Sequence, residues 1–252
     1  MFYQPGKEDH GLPYDPFKAC VIPRPIGWIS TVSPTGVANL APYSQFNNLT
    51  FDPPYIMFSA NQTPSQTQKD TVRNVESTGK FVWNLATYGL RDAVNKSAEQ
   101  VAYGVDEFVR AGLEKQDCAI SHVRIEGKGG CCVPIPMVKH SPIKFECEHY
   151  TTLRLPGNPP MGAADVVIGK VVGVHIDERV LTEGKIDIRK TEPIARCGYY
   201  EYTVVRDVFE MRIPGQDRAI MAGLEGSSKA NRNLDETGAT GGDGGGRCDS
   251  IM

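Results

Sequence analysis

The sequence predicts a mainly β chain, an antiparallel barrel carrying a few short helices. Three observations carry this. Many short runs have the β-branched and aromatic content of strands, helical spacing is confined to a few short segments, and strands and helices do not alternate as βα units do.

Residues 26–33 are rich in β-branched and aromatic side chains. Ser33-Pro34-Thr35-Gly36 then fits a type I turn, with Pro second and Gly fourth, and Val37 resumes the run as a hairpin. Tyr55-Ile56-Met57-Phe58-Ser59, after Pro53-Pro54, is a continuous apolar run of the kind buried on both faces, and KFVWNL at 80–85 is similar. Between these strands, KDTVRNVESTGK offers Asp70 or Thr71 as N-cap, Val72 and Val75 at helical spacing, and Gly79 past the end. That predicts a helix over about 71–78.

Leu90, Ala93, Val94, Ala98 and Val101 recur at helical spacing opposite Arg91, Asp92, Asn95, Lys96 and Glu99, which predicts an amphipathic helix. Val105, Phe108 and Val109 add a turn or two, stopped by Gly112. In 141–150, Ile143, Phe145 and Cys147 alternate with Lys144, Glu146 and Glu148, the period of a strand with its charged face in water. In 164–177, Val166, Ile168, Val172, Val174 and Ile176 fall on one side. Gly169 and Gly173 fall on the other, where another backbone can approach closely. Residues 179–189 and 197–205 supply two more strands.

From Pro214 the composition changes: residues 214–252 contain no aromatic and include GGDGGG, which cannot bury enough apolar area to offset its chain entropy. The expected organisation is one domain over 12–213 and a Gly-rich, disordered tail over 214–252, with a weak helix over QDRAIMAGL.

The 252 residues are 40% apolar with a net charge of −3, so no overall field favours nucleic acid or an anionic membrane as partner. The start of the chain lacks an apolar signal core and no run approaches the roughly 20 apolar residues of a membrane span, so the expected location is cytoplasmic. Seven cysteines show no CxxC and no zinc spacing, so reduced thiols are expected; the adjacent Cys131-Cys132 reads as space-filling ahead of a redox pair. Five scattered histidines indicate no metal site.

The signatures GxSxG, HExxH, GxxxxGK[ST] and GxGxxG after a strand are all missing. What remains is polar. Ser44, Gln45, Asn47 and Asn48 follow the first hairpin where core residues would be expected, and can offer donors and acceptors to a planar heterocycle. Lys69-Asp70-Thr71 at a helix start combines an ammonium, a hydroxyl and unpaired N–H groups, which suit a phosphate. The plainer reading makes the first set loop formers and the second a cap.

RPIGWISTVSPTG, NLAPYSQFNNLTFDPP, KDTVRNV, FVWNLAT, LRDAVNKSAEQ and GVDEF, with ARCGYYEY later, resemble the flavin reductase-like FMN-binding family, in the branch of the reductase component of nitrilotriacetate monooxygenase. The resemblance covers about residues 12–205. It implies a split β-barrel of Greek-key type, a homodimer, FMN near the subunit interface, NAD(P)H as co-substrate, and a possible partner monooxygenase that takes the reduced flavin. Carried over by motif, Thr31, Ser44, Gln45 and Asn47 would face the flavin ring. Ser59, Ala60 and Asn61 would line the ring and its ribityl chain, and Lys69, Asp70 and Thr71 would hold the phosphate.

Since the flavin carries the electron chemistry, no catalytic side chain is nominated. Trp28 either walls the ring or, the favoured reading, fills the core; Asn84 is a buried strand amide ahead of a ribityl contact. Arg24 reaches either phosphate or the second subunit. Where relatives commonly read ARLGG, this chain has Ala195-Arg196-Cys197-Gly198-Tyr199, which places a bulky Tyr199 at a small position. Two rival functions stand beside the reductase. One is a protein that binds FMN tightly for electron transfer or storage, and the other is a split barrel that holds haem or deazaflavin.

Overall fold

The computed structural model describes residues 1–127, 129–209 and 211. The folded unit is Met1–Asp207; the expected tail over 214–252, with its weak helix, lies outside the described residues.

The one-turn α1 (Phe17–Cys20) leads to β1 (Arg24–Pro25), then to the expected hairpin of β2 (Gly27–Val32) and β3 (Ala38–Tyr43). Its turn is closed by Gly36, at φ +91°, donating its N–H to Ser33 O at 2.9 Å. β4 (Phe46–Phe51) and β5 (Pro54–Asn61) form a second hairpin. α2 (Asp70–Thr78) ends at Gly79, whose φ of +72° is the left-handed cap that glycine adopts without strain. β6 (Lys80–Asn84), α3 (Arg91–Lys96) and α4 (Glu107–Arg110) precede the hairpin of β7 (Lys115–Arg124) and β8 (Cys132–Val138). The long β9 (Ile143–Leu155) and β10 (Ala164–Ile176) follow. Then come the small β11 (Leu181–Thr182) and β12 (Lys185–Ile186) hairpin, α5 (Ile188–Thr191), β13 (Ile194–Arg196) and β14 (Tyr202–Val204).

The main sheet has seven antiparallel strands in the order β3-β2-β6-β9-β10-β5-β4. Its two outermost strands are consecutive in the chain, joined by Ser44-Gln45. The sheet is rolled: Phe46 of β4 stacks on Trp83 of β6, with centroids 5.3 Å apart, and Tyr43 of β3 lies 5.0 Å from Phe58 of β5. Gly27 makes room for this, since a Cβ there would sit 2.7 Å from the Phe46 ring. The interior packs Ile29, Phe58, Phe81, Trp83 and Val167 against Val72 and Val75 of α2. Outside, Trp28 and Leu40 are covered by Val94 of α3 and Phe108 of α4, while Val32 and Val82 lie under Ile135 and Met137 of β8.

Several expectations are corrected. The charged face of β9 is in water only at Glu148: Lys144 and Glu146 are 6% and 0% exposed, since the β7–β8 hairpin covers them. On β10 the core side is Asp165, Val167, Gly169 and Val171, opposite to the expected apolar set, and this alternation runs through the change of pairing register with β9 at Ile168/Gly169. Gly169 does mark a close approach, to the Phe81 ring at 2.4 Å from a built Cβ.

The helix expected through Val101 ends at Lys96. There the buried Ser97 hydroxyl donates to Val94 O and accepts from Trp28 Nε1 at 2.9 Å. β5 alternates, with Ile56, Phe58 and Ala60 buried and Tyr55, Met57 and Ser59 half-buried. Residues 179–189 form a turn, the small hairpin and the start of α5; 197–205 form a turn before β14.

Candidate functional site

A cleft of about 220 Å³ opens between the start of α2, the end of β3 and the segment after α3. Asn39, Tyr43, Lys69, Asp70, Thr71 and Glu107 supply its chemistry. β3 supplies Asn39 and Tyr43. α2 begins with Lys69 in extended geometry as N-cap residue, not with Asp70 or Thr71, and no side chain caps it. The first amides of a nine-residue helix are therefore left to an outside acceptor beside the Lys69 ammonium. Asp70 lies in the first turn. Thr71, 1% exposed, donates its hydroxyl to Asn39 Oδ1 at 3.3 Å.

Glu99 lines the cleft already paired with Lys96 and Arg110, and three further acidic groups meet this positive end. Burial raises the Asp70 carboxyl above its ordinary value, against the pull of Arg73 and Lys69. Burial likewise raises Glu107, opposed by the Leu40 amide that donates to its Oε2 at 3.0 Å. The Tyr43 phenol is pushed up by burial, offset in part by the Thr71 hydroxyl. The cleft thus pairs a helix dipole and one ammonium with two carboxyl groups that hold protons more readily than free ones.

Of the sequence-derived residues, Lys69, Asp70 and Thr71 line this cleft together. A second group lies beyond Tyr43: Ser44 and Gln45 form the corner between the outer strands, and Gln45 O accepts from Ser59 N at 2.8 Å. Asn47 stands opposite Met57, so Asn47, Ser59 and Asn61 share the outer face of the sheet, while the Ala60 side chain points into the core.

Thr31 is not brought to either group; it is fully buried and accepts from Asn74 Nδ2 at 3.0 Å. Trp28 and Asn84 are core residues, both 0% exposed, with Asn84 bridging Trp28 O and Val138 N. Arg24 donates to Cys197 O in the β13–β14 turn at 2.8 Å. Tyr199 sits half-exposed at φ +51°, edge-on to Tyr14 at 5.6 Å.

Sequence reading missed Asn39, Tyr43 and Glu107. Their only local signal is a polar residue where the hairpin or the short helix should be apolar. Cys131 and Cys132 are both exposed free thiols. Among the described residues no group of three His, Cys, Asp or Glu side chains can hold a metal ion, and no helix is long and apolar enough to cross a membrane.

Comparison with known proteins agrees with this architecture. An uncharacterised protein of Aquifex aeolicus is 32% identical over 183 residues, 71% of this chain and 84% of its own length. The crystal structure of nitrilotriacetate monooxygenase component B from Bacillus cereus superposes with a TM-score of 0.72 at 27% identity, covering 84% of this chain and 98% of that one. A Shewanella frigidimarina structure described as having a split barrel domain gives 0.63 at 20% identity, covering 78% and 89%, which supports the same split-barrel fold here. The family model described as "Flavin reductase like domain" matches residues 19–193, and the chain belongs to that family.

Proposed function

We propose that this chain is an FMN-dependent oxidoreductase that uses NAD(P)H to reduce flavin. The observation that carries it is the uncapped start of α2 beside Lys69, at one end of a cleft in a chain of the flavin reductase-like family. Helix amides without an internal acceptor and an adjacent ammonium fit a phosphate. FMN, when bound, supplies the two-electron chemistry.

The chain's own residues do the rest. Lys69 and the amides of the first α2 turn hold the phosphate, and Thr71, fixed by Asn39, presents its hydroxyl there. Ser44, Gln45, Asn47, Ser59, Ala60 and Asn61 offer polar side chains and backbone to the ring at the outer face. Half-buried Met57, Val166 and Ile168 and exposed Leu153 on that face suit burial against a second copy, so the working unit is a homodimer. The likeness to a monooxygenase component B supports a partner oxygenase that consumes the reduced flavin.

The test is NAD(P)H consumption with and without added FMN, together with FMN affinity. Changing Lys69 and Thr71 together to Ala weakens FMN binding by about 2–4 kcal/mol, from typical charge-assisted hydrogen bonds. Unchanged affinity removes this turn from the site, and absence of turnover with either nicotinamide refutes the reductase.

A further inference from the structure

Glu107 has no part in the reading above, yet it lines the cleft. It arrives there from α4, whose first turn is fixed by Asp106 accepting from the amides of Phe108 and Val109 at 3.0 and 3.4 Å. Only 7% of Glu107 is exposed, and Oε2 accepts from Leu40 N of β3 at 3.0 Å. The carboxyl therefore cannot turn out to water without leaving a buried strand amide bare. Asp70 faces it from α2 and Tyr43 from β3; Asp106, on its own helix, is paired with Lys115 of β7. The cations of α2, Arg73 and Lys69, act on Asp70. Glu99, from the segment after α3, also lines the cleft but is paired with Lys96 and Arg110. Two carboxyl groups with no ion-pair partner among the described residues, Asp70 and Glu107, thus share one partly closed space with the helix start.

Into that space the proposed ligand brings a phosphate monoester, whose second ionisation lies at about pH 6, so that above neutrality it carries close to two negative charges. A dianion beside two carboxylates out of bulk water is repelled by both. A proton relieves this most simply, and Glu107 is the group held in place to receive it.

From this geometry we infer that Glu107 is the proton-loading group of the cleft. Binding of a flavin phosphate draws one proton from solvent onto its carboxylate, turning a repelling acceptor into a neutral donor. The inference rests on the flavin-phosphate reading of the cleft. One carboxylate and one solvent proton give one carboxylic acid, and no electrons move. The consequence is selectivity that depends on pH: affinity for the phosphorylated flavin rises as pH falls, while affinity for riboflavin, which lacks the phosphate, does not.

The test is calorimetry of FMN binding to the full chain at about pH 7.5, in two buffers of different ionisation enthalpy, which counts protons taken up. Riboflavin serves as control, and FMN affinity is followed over about pH 6.5–8.5. The wild type takes up a proton, and its affinity strengthens by up to about tenfold per pH unit of acidification. Glu107→Gln, similar in shape and always neutral, removes most of the uptake, flattens the profile and binds FMN more tightly than wild type at high pH.

Uptake that persists in Glu107→Gln but vanishes in Asp70→Asn overturns the assignment. So does wild-type binding without uptake, a result that needs no variant and stands even if Glu107→Gln fails to fold. FMN that does not bind the wild type at all overturns the functional reading and this inference together. FMN that binds without proton uptake overturns the inference alone.

Discussion

Glu146 is the residue whose replacement should cost the fold most for the smallest change in shape. Its carboxylate is wholly buried and accepts four hydrogen bonds: Ala119 N and His175 Nε2 on Oε1, both at 2.7 Å, and Ile120 N and Ser121 N on Oε2, at 3.0 and 2.7 Å. Three of these donors are consecutive residues at the register shift of β7, so one side chain of β9 ties down the irregular part of the covering hairpin.

Burial alone would raise the carboxyl, but the bonds from His175 and the β7 backbone outweigh it and hold the pKa at about 2, against an ordinary 4.5. At about 1.4 kcal/mol per pH unit, that difference is worth about 3 kcal/mol. Because the folded value is the lower one, this stability is fully present above about pH 4.5 and is lost as pH falls toward 2. About 2 kcal/mol of it is gone by about pH 3. Glu146→Gln keeps the shape but only one acceptor oxygen, and its NH₂ meets two of the donors head-on.

The expected loss is about 3–5 kcal/mol at neutral pH, in the range of a broken buried charged network. Urea unfolding followed by fluorescence of the buried Trp28 and Trp83 measures it. The gap between wild type and variant should narrow by about 2 kcal/mol between about pH 7 and pH 3. A loss below about 1 kcal/mol, or a gap that stays constant with pH, refutes the network as described.

Two further outcomes follow from packing. Gly169→Ala puts a methyl 2.4 Å from two atoms of the fully buried Phe81 ring, which is itself edge-on to Phe58 at 5.6 Å. It should destabilise by about 1–3 kcal/mol, partly restored by Phe81→Leu; calorimetric melting of the single and double variants checks this. Ser97→Ala strands the Trp28 indole N–H, which has Ser97 Oγ as its acceptor. It should cost about 1–3 kcal/mol, read as a melting shift of about 2–4 °C per kcal/mol.

What the chain reveals before it is folded depends on how locally each feature is determined. The hairpin around Ser33–Gly36 and the stop of α2 at Gly79 are legible because each is set by adjacent residues with fixed backbone preferences. The β7–β8 hairpin was not foreseen: Pro134 and Pro136 and the shift between Asp117 and His122 break its alternation. That omission made Lys144 and Glu146 look solvated, since nothing local says that a second hairpin covers them. On β10 both faces carry apolar side chains, so the alternation alone picks the wrong face: Val166 and Ile168 are only half-buried while Val167 and Val171 fill the core.

At the cleft, Lys69-Asp70-Thr71 was legible as a polar helix start. Asn39, Tyr43 and Glu107 were not, because they reach the same place from β3 and α4 and only the tertiary fold joins them. Thr31 shows the converse: a polar residue on a strand met a buried partner, Asn74, in place of a cavity.

The Ser44-Gln45 corner limits the shape the main sheet can take. Seven strands laid flat at about 4.8 Å spacing would hold the outermost two nearly 30 Å apart. Three Cα steps of about 3.8 Å, from Tyr43 to Phe46, reach about 11 Å at most. Curvature is therefore a covalent necessity of the connectivity, imposed before any side chain packs. Lengthening this corner would slacken that constraint and leave the aromatic stacking of Phe46 on Trp83 to keep the sheet from opening.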